Sequence, residues 1–272
     1  MPFQSANLMR RRLLMSLSAG LSLLLPSCVV YMPMQCAAPQ ITDKQQGEAT
    51  ISTYLNGRAD AAATYSPVRH LLVRAAYSNL RDDSRDSTYY RGHQYDLGVG
   101  TYWRLGDQWL VGGLVGFGQA QSAAAYSRGI IFTSPRYEFD TRYNKIFGEV
   151  YGLVQTSEAF SIGAAYRVTQ VNFTHLTNFG APVDLNRMTR SEPMLFMRVR
   201  FGTGPTENRP VQLQAAWGTS ATFGYDERNN QSVYALGVNE LKQGRGYTTI
   251  GVTIFPHCLF RKAPALPTHD DR

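Results

Sequence analysis

Charge is scarce in this chain: Asp, Glu, Lys and Arg make up 17% of its 272 residues, while aromatics reach 12% and glycine occurs 24 times. No basic run with interleaved aromatics is present, which argues against a nucleic-acid partner. Cysteine is limited to three residues with no Cys-x-x-Cys pair, and the five histidines are scattered, so neither a zinc nor a redox site is supported and no metal or cofactor is expected. After the first apolar run, Leu13 to Leu25, none is long enough for a second membrane helix. A chain so poor in charge and so rich in Tyr, Phe and Gly suits a β protein wetted by something other than water alone. If it crosses a bilayer, it does so with strands.

The N-terminus is more specific. Arg10, Arg11 and Arg12 precede the run Leu13–Leu25, followed by Pro26, Ser27 and Cys28. This is the charged, apolar and cleavage-site order of a secretory signal peptide. The ending Leu25-Pro26-Ser27-Cys28 resembles a bacterial lipobox, which implies cleavage before Cys28 and acylation of that residue. Removing residues 1–27 leaves 24 basic against 20 acidic residues, reducing the formal charge from +7 to +4. The expected division is a lipoprotein signal peptide over 1–27, a lipid-anchored tether over 28–46, a barrel over 47–257 and a flexible tail over 258–272. An exported chain meets an oxidising compartment, so Cys36 and Cys258 form a candidate disulfide.

From Glu48 onward, apolar and polar residues alternate with period two between turn signals. Ten strands are predicted, near Ala49–Asn56, Ala59–Ser66, His70–Asn79, His93–Leu105, Gln108–Ser122, Arg136–Gln155, Phe160–Thr177, Glu192–Thr203, Val211–Phe223 and Tyr247–Phe255. No helix is predicted. Short turns at 67–69, 106–107, 156–159 and 204–210 alternate with longer loops at 80–92, 123–135, 178–191 and 224–246. The fold class is therefore all-β: a closed antiparallel up-and-down barrel of about ten strands, with eight as the alternative count. Short turns on one rim and long loops on the other is the habit of outer-membrane barrels. An even strand count returns both barrel ends to the short-turn rim, in agreement with a lipid anchor there.

Alternation alone does not say which face is inside. Tyr95, Leu97, Val99, Thr101 and Trp103 share one face of the fourth strand; Asp96, Gly98, Gly100, Tyr102 and Arg104 share the other. Aromatics at the ends of the apolar rows and small residues on the polar rows favour apolar-out, as in a membrane. The polar rows then form an interior charge network of Arg74, Asp96, Arg104, Glu149, Arg167, Glu192, Arg198 and Arg200. Five arginines against three acids leave a positive surplus, open to an anionic ligand or to waters, carbonyls and tyrosines. Glycines 112, 113, 116 and 118 precede no helix, so they relieve crowding in the interior and do not cradle a phosphate.

On this layout the chain resembles the outer-membrane β-barrel proteins of Bacteroidota-type bacteria, small barrels similar in architecture to the OmpA and OmpW groups. The likeness covers Gly47 to His257, and rests also on Ala63-Thr64-Tyr65-Ser66-Pro67 with His70-Leu71-Leu72-Val73, and on Phe147-Gly148-Glu149-Val150-Tyr151-Gly152. Here Phe255 closes the last strand, but Pro256 to Arg272 follow it, unlike barrels that end on a terminal Phe. The expectation is a non-catalytic barrel in outer-membrane lipid, monomeric, with long loops open to a surface partner. Ile130-Ile131-Phe132 and Val233-Tyr234-Ala235-Leu236 are the apolar patches in those loops. Two alternatives stand beside this reading. One is a lipid-anchored soluble barrel holding a small apolar ligand. The other is a membrane-embedded hydrolase built on His175 with Ser191 and Glu192. His93 and Asp96, three apart on one strand, point to opposite faces and cannot pair.

Overall fold

The structure is a computed structural model that describes residues 30–85, 88–127, 135–202, 209–226 and 236–259. The signal peptide, Cys28, most of the C-terminal tail and both apolar loop patches lie outside these residues, apart from the backbone of Leu236.

Eleven strands form in chain order: β1 Gly47–Tyr54, β2 Ala59–Tyr65, β3 Leu72–Arg85, β4 Thr88–Leu105, β5 Trp109–Ser127, β6 Arg136–Gln155, β7 Phe160–Asn178, β8 Ala181–Pro182, β9 Arg187–Phe201, β10 Val211–Thr222 and β11 Arg245–Ile254. Ten of them make the barrel, and β8 is a two-residue stub against the end of β7. Every pairing is antiparallel, and each barrel strand bonds to its sequence neighbour in the barrel. The ring closes where β1 pairs with β11, for example Ile51 opposite Val252. The predicted ten-strand barrel is the observed one.

The apolar row faces out. On β4, Leu97 is 41% exposed while Asp96 beside it is 1% exposed. Ile51, Val115, Ile146, Val150, Leu195 and Ile250 likewise project from the outer wall, with Trp103, Trp109 and Trp217. An outer surface this apolar is unstable against water and stable against hydrocarbon.

Several boundaries differ from expectation: β5 runs on to Ser127 and β9 begins at Arg187, inside the expected 123–135 and 178–191 loops. β3 and β4 continue through the expected 80–92 loop as a paired ladder, and Arg91 on β4 reaches across to Asp83 on β3 at 2.6 Å. A short helix, α1 (Leu236–Lys242), forms inside the expected 224–246 loop and packs Leu241 at the mouth of the lumen. A second, α2 (Pro256–Leu259), follows β11. Among the described residues no helix is long and apolar enough to cross a membrane, which leaves strand crossing untouched.

Four inward glycines have an aromatic ring from a neighbouring strand lying where a side chain would be. Tyr151 covers Gly112, Phe147 covers Gly116, Phe196 covers Gly163 and Tyr247 covers Gly218. The absence of a Cβ lets each ring lie flat against the wall, filling a narrow interior with bulk from one strand and space from the next.

Candidate functional site

The interior is occupied by the chain itself. Residues 30–41 form no strand or helix, yet Val30, Tyr31, Met34, Cys36, Ala38 and Ile41 are all at or below 1% exposure. They run along the lumen in order. Val30 packs at the long-loop mouth with Tyr126, Tyr137, Phe139, Leu176 and Leu241. Ile41 packs with Leu72, Tyr102, Leu110 and Leu153 toward the short-turn rim. The chain then turns back through residues 42–46 into β1. The Gln46 side chain accepts from the Thr42 and Asp43 amides, and Gln45 adopts a positive φ of 61°.

A segment without regular structure has no ladder to satisfy its buried backbone, so its polar groups need other partners. Inward side chains supply them. The Val30 carbonyl accepts from Ser122 Oγ (2.7 Å) and the Met32 carbonyl from Gln94 Nε2 (2.9 Å). The Pro33 carbonyl accepts from Arg58 Nη2 (2.6 Å), and the Ala38 carbonyl from Arg198 Nη1 (2.7 Å). The Ala37 amide donates to Glu149 Oε1 (2.6 Å) and the Gln40 amide to Glu48 Oε2 (3.0 Å). Tyr31 donates its hydroxyl to Glu192 Oε1 (2.7 Å).

Behind these contacts lies the charge network. Asp96 receives Lys145 Nζ at 2.7 Å and Arg167 Nη1 at 3.3 Å, and Arg167 Nη2 reaches Glu149 Oε2 at 2.6 Å. Lys145 also donates to Gln94 Oε1 (2.8 Å), so the chain of bonds runs from Met32 through Gln94, Lys145, Asp96, Arg167 and Glu149 back to Ala37. Arg190 donates to Ser220 and Thr222, and to the Leu241, Lys242 and Gln243 carbonyls at the end of α1, which fixes that helix at the mouth.

Of the expected network, Asp96, Glu149 and Arg167 meet directly. Glu192 binds Tyr31, Thr169 and Ser220. Arg198 joins Gln214 and the threaded segment, and Arg200 lies with its guanidinium 3.6 Å over the Phe255 ring. Arg74 is buried near Glu48 and Arg198, lining a hollow of about 20 Å³, room for about one water. Arg104 lies exposed at the short-turn rim, where it donates to the Asp107 carbonyl (3.5 Å). Lys145, Arg190, Arg58 and Asp60 belong to the lumen and were not expected there. Their parity with Glu149, Glu192 and the inward residues of β2 was the available signal. Arg58, Arg198 and Arg190 each donate to backbone carbonyls, those of Pro33, Ala38 and the α1 end.

The expected Cys36–Cys258 disulfide is corrected: the structure forms no bond between the two sulfurs. Cys36 is buried in the lumen with Sγ 3.9 Å from the Glu192 carbonyl, while Cys258 sits on α2 at the rim. His175 and Ser191 do not meet either. Ser191 pairs with Val168 on β7, seven residues from His175, or roughly 23 Å at about 3.3 Å per residue. The Ser191 hydroxyl instead lies 3.0 Å from that of Tyr166 on the outer wall. Across such a gap the two residues form no dyad.

A hollow also lies on the outside of the barrel. It is an apolar groove of about 630 Å³ between Val150, Tyr166, Leu195 and Trp217, over Pro193. Pro193 lacks the amide that would bond to β10, and the β9–β10 ladder skips this point.

Together these features define a closed barrel plugged by its own N-terminal segment. No known family model matches the chain, and neither does any curated protein. Solved structures similar to it include bacterial outer-membrane proteins. The N-terminal barrel domain of Pseudomonas aeruginosa OprF shares 7% identity over 78% of this chain and 98% of its own, with a TM-score of 0.32. The translocator domain of the autotransporter NalP from Neisseria meningitidis shares 12% over 77% and 86%, with a TM-score of 0.42. The outer membrane protease OmpT from Escherichia coli shares 13% over 78% and 94%, with a TM-score of 0.38. Scores and identities this low assign no function.

Proposed function

We propose that the chain is an integral outer-membrane barrel, monomeric and non-catalytic, sealed by its own N-terminal segment and acylated at Cys28. Its role is structural or surface-interacting, exercised through the long loops. The observation that carries this reading is the pairing of an apolar outer wall with a filled polar lumen. Lipid suits the first, and the second leaves no room for solute flow. A soluble barrel holding an apolar ligand is disfavoured by both features, since the apolar row faces outward and the 30–41 segment occupies the lumen.

The test is gel mobility with and without boiling, on outer-membrane fractions carrying a Cys28→Ser form. An integral barrel stays in the membrane without its lipid and migrates differently once boiled. A Cys28→Ser protein released to the soluble fraction would refute the reading.

A further inference from the structure

The order of contacts along the lumen fixes a direction. Val30 bonds to Ser122, toward the long-loop end of β5, and packs under Leu241 of α1. Met32 bonds to Gln94, Ala37 to Glu149 in the half of β6 nearer its short turn, and Gln40 to Glu48 at the start of β1. Rising residue number therefore means descent from the long-loop mouth to the short-turn rim. The eleven steps from Val30 to Ile41 can span roughly 36 Å when extended, enough to cross the apolar band of about 25 Å on a membrane barrel.

We infer that the N-terminal segment is threaded outward, so that Cys28 lies on the long-loop side of the membrane. Two peptide units separate Cys28 from Val30, at most about 7 Å, too little to return through the filled lumen. In an outer-membrane barrel the short turns face the periplasm, so the threaded end is displayed at the cell surface. An acyl group on Cys28 then enters the outer leaflet from outside, and its partner is that lipid surface. The ends of the barrel itself do lie on the short-turn rim, but the lumen segment carries the anchor to the opposite one. Side chains of β1, β4, β5, β6, β7 and β9 bond to the segment Val30–Ile41, so the wall must close around it. This inference rests on the outer-membrane reading above.

The experiment places an epitope between Cys28 and Val29, a second in the loop joining β5 and β6, and a third after Leu259, each in the full chain. Antibody binding is read on intact and on permeabilised cells, with heat-shifted gel mobility confirming a folded barrel. Threading predicts that the first two epitopes bind on intact cells and the third only after permeabilisation. A loop epitope that binds on intact cells, with a Cys28 epitope that needs permeabilisation, overturns threading and leaves the barrel reading standing. A loop epitope hidden on intact cells, or a chain with no heat shift at all, overturns the barrel reading and the inference with it. Should the first insertion alone prevent folding, Val29→Cys in a Cys28→Ser, Cys258→Ser background is probed with a membrane-impermeant maleimide. Labelling on intact cells supports threading, and labelling only after permeabilisation overturns it.

Discussion

Glu149→Ala is the substitution expected to damage this barrel most sharply. One carboxylate serves two masters: Oε1 accepts from the Ala37 and Ala38 amides (2.6 and 3.4 Å), and Oε2 from Arg167 Nε and Nη2 (2.9 and 2.6 Å). Removing it leaves Arg167 buried with Asp96 as its remaining acid, itself shared with Lys145. Breaking a buried pair from one side costs about 3–5 kcal/mol, and a stranded buried amide about 1–3 kcal/mol. The two losses share one group and are not additive, so about 4–6 kcal/mol is expected in total. Glu149→Gln keeps an acceptor for Ala37 and loses the charge, for a smaller loss of about 2–3 kcal/mol. Arg104→Ala, at the exposed rim, should stay within about 0.5 kcal/mol of the parent. Urea unfolding in lipid vesicles reads these differences through Trp103, Trp109 and Trp217, all on the outer wall. A Glu149→Ala barrel as stable as Arg104→Ala would refute the claim that the network holds the threaded segment.

Other outcomes follow from the same geometry. Gly116→Val should lower the temperature at which the folded gel band is lost, by overpacking against the Leu97 carbonyl and Phe147, whereas Gly148→Ala, with open space around it, should not. In planar bilayers the parent chain should show no conductance steps, and deletion of residues 30–41 should produce them; steps from the parent would contradict a sealed lumen. Arg190→Ala should open 236–242 to protease, because the guanidinium that bonds the Leu241, Lys242 and Gln243 carbonyls is gone. Cleavage unchanged from the parent would separate Arg190 from the seating of α1.

The barrel was legible because period-two alternation is a direct imprint of a wall between two media. Leu97 and Asp96 could be placed on opposite faces from neighbouring letters alone, and turn residues such as Gly106 marked the strand ends. Depth was not legible. Parity sends Arg104 inward as surely as Asp96, yet only Asp96 lies far enough from the rim to be enclosed. Pairing across strands was also hidden: Lys145 reaches Asp96 through register and curvature that no local pattern records. The threaded segment falls within the stretch expected as a lipid-anchored tether, and Pro33 and Pro39 leave it without periodicity. A signal was nonetheless present, since none of the residues from Val30 to Ile41 is charged. A solvated tether has no reason to avoid charge, while a buried one does.

The central claim is that residues 30–41 fill the lumen of the folded barrel, and Cys36 reports on it directly. Cys36 is buried at 1% exposure, while Cys258 on α2 is partly exposed and serves as an internal reference. The measurement is maleimide labelling of the folded, heat-shifted protein in detergent, with modification at each cysteine quantified by mass spectrometry. Filling of the lumen predicts that Cys258 is modified while Cys36 stays protected until the barrel is unfolded. Cys36 reacting as fast as Cys258 in the folded protein would contradict it.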